Sequence, residues 1–102
     1  MEIQKVLVLS TGHLKETTAK TLNYFFDLGS ENEMTAIAKY DCGYFLTVPS
    51  DPEYLAEFTE DMVKHHMEEL AVILQKAASL QCTFVNFDRD GETYPEFPTF
   101  NW

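Results

Sequence analysis

Three groups of side chains in this chain have the types and spacing to do chemistry. The first is Ser10-Thr11-Gly12-His13, two hydroxyls and an imidazole directly after the apolar run Val6-Leu7-Val8-Leu9. A hydroxyl within hydrogen-bond reach of an imidazole supports acid–base or nucleophilic catalysis, and loops at strand ends often carry such work on a rigid scaffold. The plainer account of the same residues is that Ser10 or Thr11 caps a helix and His13 begins it. The second group is the stretch Asp51–Glu69, which holds seven carboxylates and one lysine, a net of −6. Within it Glu53, Glu57, Glu60, Asp61 and Glu68 recur with Lys64 at spacings of three, four and seven, so much of the charge shares one helix face. Such a face suits a partner with a basic surface, or imitates nucleic-acid phosphates. It is also what a solvated helix face looks like, with acids near the N-terminus favoured by the helix dipole. The third group is scattered. His65 and His66 are helix neighbours in sequence and cannot face the same way; His66 falls on the apolar stripe. Asp88-Arg89-Asp90-Gly91-Glu92 lacks the downstream oxygen ligands of a calcium loop and reads as a tight turn. No metal and no cofactor is expected, no phosphate-binding glycine loop is present in the sequence, and no residue is assigned as catalytic.

The elements that must position these groups can be read from periodicity. Residues 3–9 read as a strand, and the apolar run at 6–9 predicts a central place in a sheet. Residues 14–28 carry Leu14, Thr18, Leu22, Phe25 and Phe26 at helical spacing, and Gly29 is placed to end that helix. A polar loop at 30–33 follows. Residues 34–40 alternate as a strand, Asp41-Cys42-Gly43 turns the chain, and 44–48 return as its hairpin partner. Ser50 and Glu53 then form the pattern of a capping box, with Pro52 in the first turn. From Leu55 to Leu80 the apolar positions keep helical spacing for about 28 residues, or about 42 Å if unbroken. A single helix and a pair broken near Thr59 fit equally well. Residues 82–87 read as the last strand. The tail, residues 93–102, carries four aromatics and two prolines, and is expected to dock on the domain.

The order strand, helix, strand, strand, helix, strand predicts an α+β fold of the ferredoxin-like split βαβ plan: an antiparallel four-stranded sheet with helices on one face. At 102 residues the chain is expected to be one domain, 1–102. Its 45% apolar and 14% aromatic content is that of a packed core rather than a disordered segment. Seven basic against 17 acidic residues give −10 at pH 7, which argues against direct nucleic-acid binding and against anionic membranes. No apolar run is long enough to span a bilayer, and the first residues lack the features of a signal peptide. A cytoplasmic location is expected, in keeping with two cysteines, Cys42 and Cys82, for which a disulfide is disfavoured.

Both ends of the chain also resemble a known pattern. Val8-Leu9-Ser10-Thr11-Gly12-His13-Leu14 with Glu16-Thr17-Thr18 is similar to the "STAHIT-x-x-T" opening of a family of small bacterial and phage domains. Phe87-Asp88-Arg89-Asp90-Gly91-Glu92, then Pro95, Phe97, Phe100 and Trp102, is similar to that family's "D-x-D-G-E … L-P-x-Y-x-W" close. Gly12 stands where the family usually has alanine. The resemblance implies an origin in prophages and mobile elements, adds weight to His13, and carries over no catalytic role. Together these readings predict a non-enzymatic protein that binds another protein through Glu53, Glu57, Glu60, Asp61 and Glu68, inhibiting a nucleic-acid-binding host factor. The competing readings are a ligand or enzymatic site at Ser10, Thr11 and His13, and a homodimer through the open sheet face.

Overall fold

The computed structural model describes residues 1–28 and 37–102. The elements are β1 (Val6–Ser10), a 3-10 turn (Thr11–His13), α1 (Glu16–Leu28), β2 (Ile37–Tyr40), β3 (Gly43–Thr47), α2 (Pro52–Lys64), α3 (Glu68–Ser79) and β4 (Phe84–Asp88). The expectations for Gly29, for residues 30–36 and for the side chains of Phe25 and Phe26 lie outside the described residues.

The strand order is β1-β4-β3-β2, with β1 parallel to β4 and the other neighbours antiparallel. This corrects the expectation of a ferredoxin-like antiparallel sheet. The fold is α+β, but its sheet is mixed and β1 stands at its edge rather than its centre. The cause lies between β3 and β4. A single long helix there would return the chain pointing the same way as β3. Two helices packed on each other bring it back pointing the opposite way, so β4 pairs antiparallel with β3. The parallel partner of β4 is then β1. Four apolar residues in β1 had suggested cover on both faces, yet Val6 and Val8 are exposed and only Leu9 is fully buried.

The break that makes two helices falls at residues 65–67, not near Thr59. Thr59 lies inside α2, where its hydroxyl donates to the Leu55 carbonyl at 2.9 Å and accepts from Gln75 of α3 at 3.3 Å. His66 takes a positive φ of 62°, a conformation that costs an L-residue roughly 1–2 kcal/mol. Next to it, Met67 is buried and its N–H donates to the Met62 carbonyl at 2.8 Å. The expected place of His66 on the buried stripe is therefore corrected: it is exposed at the corner. At the other end of α2 the cap is Asp51, which accepts from the Glu53 N–H at 3.0 Å, rather than Ser50. Pro52 fills the first helical position and so sets the cap one residue before itself.

The core face of the sheet is read from register. Leu7, Leu9, Val85, Phe87, Tyr44 and Leu46 share it, and they pack against Leu14, Leu22, Met62, Leu70, Ile73 and Leu74. Gly43 allows β3 and β4 to approach: a Cβ there would lie 1.7 Å from the Phe87 carbonyl oxygen. Val6, Val8, Phe45, Phe84 and Asn86 alternate onto the opposite face, where Val6 and Val8 are exposed.

Replacing His66 by glycine removes the left-handed strain at an exposed position and is expected to stabilise the fold by about 0.5–1 kcal/mol. Thermal unfolding checks this; a lower melting temperature for His66→Gly would show that the corner is held by the imidazole and not strained by it.

Candidate functional site

The hydroxyls and the imidazole picked out at residues 10–13 sit where β1 ends beside the end of its parallel neighbour β4, with Ser10 opposite Asp88. Ser10 caps the 3-10 turn, its Oγ accepting from the Gly12 N–H at 3.0 Å. The turn drives His13 inward, where it is fully buried. Both ring nitrogens are engaged by the backbone of the tail. Nδ1–H donates to the Pro98 carbonyl at 2.8 Å, and Nε2 accepts from the Tyr94 N–H at 2.9 Å. One donor and one acceptor define a neutral ring in a single tautomer. Phe97 meets the ring edge-on at 5.6 Å and Tyr94 stacks at 6.4 Å between centroids. No hydrogen bond joins the Ser10 or Thr11 hydroxyl to His13 among the described residues, so the nucleophile–base contact that catalysis needs is not made here. In this arrangement His13 pins the tail. Three further bonds extend the seam: Ser10 N–H to the Glu92 carbonyl at 2.9 Å, Phe100 N–H to the Gly12 carbonyl at 2.8 Å, and Trp102 Nε1–H to the Leu14 carbonyl at 2.9 Å.

The acidic residues are divided by the corner. Glu53, Glu57, Glu60 and Asp61 are exposed on α2, opposite the buried Phe58, Thr59 and Met62. Among the described residues only Glu60 of these four has an ion pair, at 3.9 Å to Lys64. Glu68 lies on α3 and meets Lys15 at 2.7 Å. That contact holds the Glu68 carboxyl below its ordinary range and the Lys15 ammonium above its own. Lys15 also donates to the His66 carbonyl at 3.2 Å, and its backbone N–H donates to Glu69 Oε2 at 2.8 Å. Glu69 is buried, with its second oxygen 4.0 Å from the Lys15 ammonium. A carboxylate from α3 thus satisfies a free N–H at the start of α1, where the helix dipole favours negative charge. Sequence spacing does not reveal this pairing, because residues 15 and 69 meet only in the fold.

A second cluster, completed only by the sheet register, lies at the same end of the sheet as Ser10. The Tyr40 hydroxyl is 2.6 Å from Asp88 Oδ2 and 2.9 Å from the Asn86 side-chain amide. A phenol has one proton, and Asp88 Oδ2 and Asn86 Oδ1 both face it as acceptors, the shorter contact being to the charged Asp88. Asp88 Oδ1 accepts from the Asp90 N–H at 2.8 Å, which closes the turn that the sequence predicted. The Tyr40 bond, then the Asp90 bond and the Arg89 charge, hold the Asp88 carboxyl below its ordinary range. Burial, then the bond to Asp88, pushes the Tyr40 phenol up. The residues at alternate strand positions, Asn86 and Asp88, were the available sign that they share a face. Cys42, beside this cluster in sequence, and Cys82 are both free thiols.

His13→Ala leaves the Tyr94 N–H and the Pro98 carbonyl unpaired and opens a void, at an expected cost of about 2–4 kcal/mol. Chymotrypsin should then cut the tail after Phe100, the tail aromatic followed by a residue other than proline, roughly tenfold faster or more; an unchanged cutting rate would show that other contacts hold the tail. At Asp88 the sign is that of a lowered carboxylate: its contribution is complete above the ordinary value of 3.8 and is lost as pH falls through the lowered one. Tyr40→Phe should raise the Asp88 titration midpoint in a carboxyl-carbon NMR titration and move the acid limit of stability to higher pH. A midpoint that stays in place would assign the lowering to the Asp90 N–H and the Arg89 charge.

Among the described residues no helix is long and apolar enough to cross a membrane. No curated protein and no solved structure matches the chain. The model of a family of unknown function, DUF5983, described as its C-terminal domain, matches residues 6–102, and the chain belongs to that family.

Proposed function

We propose that this chain is a cytoplasmic protein of phage or mobile-element origin that binds another protein through the acidic face of α2. It occupies the basic surface with which a host defence or regulatory factor would otherwise grip nucleic acid. The observation that carries this reading is the exposed row Glu53, Glu57, Glu60 and Asp61, which faces away from the core and, among the described residues, is balanced only by Lys64. Four carboxylates within about 12 Å of helix repel one another, and no contact inside the described fold needs them there. Electrostatic complementarity of this kind speeds encounter and makes it sensitive to salt. The alternative ligand site around Ser10, Thr11 and His13 is less well supported, because both nitrogens of His13 serve the tail. Glu68 serves the fold through Lys15, so the binding role rests on the four residues of α2.

The test is a combined variant, Glu53→Lys, Glu57→Lys, Glu60→Lys and Asp61→Lys, which leaves the Asp51 cap in place. The immobilised wild-type chain should capture a basic protein from host extract at low salt and release it as salt is raised. The variant should lose that capture, with association slowed by roughly tenfold or more. Equal capture of the same protein by the variant would sink the acidic-face reading.

A further inference from the structure

We propose that β1 is a pairing edge for a second copy of this chain, two protomers joining antiparallel about a two-fold axis near Val6 to make one continuous sheet. Strand β1 ends the sheet on its side. The Lys5 carbonyl accepts from Thr83 and Phe84, which turns the backbone groups of odd-numbered residues toward β4 and those of even-numbered residues outward. The outward groups are not all free. Ser10 N–H is held by the Glu92 carbonyl and the Val8 carbonyl by the Tyr94 hydroxyl at 3.3 Å, so the tail covers the upper end of the edge. Val6 N–H, the Val6 carbonyl and Val8 N–H have no protein partner among the described residues.

Proteins usually protect such an edge with proline, a bulge or an overhanging lysine. Here there is no proline in the strand, and Lys5 donates to the Leu80 carbonyl instead of standing over the edge. The residues along it are apolar and open to water: Ile3 is 81% exposed, Val6 38% and Val8 42%.

Charge selects a second copy as the occupant. Residues 1–10 contain one acidic and one basic side chain, in a chain of net −10. Two copies repel each other at α2 but approach at β1 without that cost. A basic partner gains nothing at this neutral edge. The hydrogen-bonding pattern is also self-complementary. In antiparallel pairing, Val6 N–H and carbonyl of one protomer meet the carbonyl and N–H of Val6 of the other, and Val8 N–H meets the Gln4 carbonyl. The tail segment at Glu92 and Tyr94 stops pairing beyond Val8, so the contact closes as a two-fold dimer and does not propagate. The strip is short, so the dimer is weak and depends on concentration.

Light scattering on the intact chain tests this. The mass is expected to rise from one chain toward two as concentration is raised roughly a hundredfold, and added salt should promote the dimer by screening the like charges. Val6→Lys and Val6→Pro should both remain monomeric at the same concentrations while retaining the wild-type circular dichroism spectrum. The proline removes only an outward N–H, so the ladder to β4 is untouched. The combined lysine variant of α2 should still dimerise, which separates this surface from the partner-binding face. A wild-type chain that stays monomeric throughout, or a dimer that survives both Val6 substitutions, overturns the proposal.

Discussion

The corner at His65–Met67 sets the layout of the whole sheet, and Lys15 is the residue that ties it down. Its ammonium reaches the His66 carbonyl and the Glu68 carboxylate, while its backbone N–H is taken by Glu69. Two parts of the chain that are remote in sequence therefore meet at one point: the entry to α1 and the corner that joins α2 to α3. With the corner in place the two helices return the chain antiparallel to β3, β4 takes the centre beside it, and β1 is left at the edge. The left-handed backbone at His66 is a local cost. It is offset by the burial of Met67 and the packing of α2 on α3, which a straight helix would forgo.

A second constraint acts at the carboxyl ends of β1 and β4. The tail has no regular structure of its own, so its N–H and carbonyl groups must find partners elsewhere. His13 supplies one donor and one acceptor from a single buried ring, and neighbouring backbone supplies the rest. This explains why an imidazole suits the position. Among the side chains, few can present a donor and an acceptor on opposite sides of a rigid plane. The same seam also covers part of the β1 edge, so the tail determines how much of that edge is free.

The two surfaces proposed for interaction differ in kind because charge is unevenly distributed. The face of α2 is acidic and opposite the core, and it suits a cationic partner. The edge of β1 is nearly neutral and offers backbone hydrogen bonds, and it suits a surface like itself. Salt acts on them in opposite directions, since it screens an attraction in one case and a repulsion in the other.

Much was legible in residue order alone. Seven regular elements were foreseen as six, with the hairpin turn at Asp41-Cys42-Gly43, the tight turn after Asp88 and the buried stripe of α2 all following from short-range spacing. These features depend on steric and hydrophobic preferences that repeat within a few residues. The helix corner was not legible, because the apolar period continues through it and only the contact of Met67 and Lys15 with distant residues selects a break. Strand order and direction followed from that corner, so the ferredoxin-like expectation failed with it. The role of His13 was likewise decided by tertiary structure: its residue type suggested chemistry, but its partners at Tyr94 and Pro98 lie more than eighty positions away. By itself the sequence determined the class of fold, the helical faces and where the negative charge is concentrated. The tertiary structure alone decided which strands are neighbours and which polar groups are already occupied, because both depend on groups brought together only when the chain closes on itself.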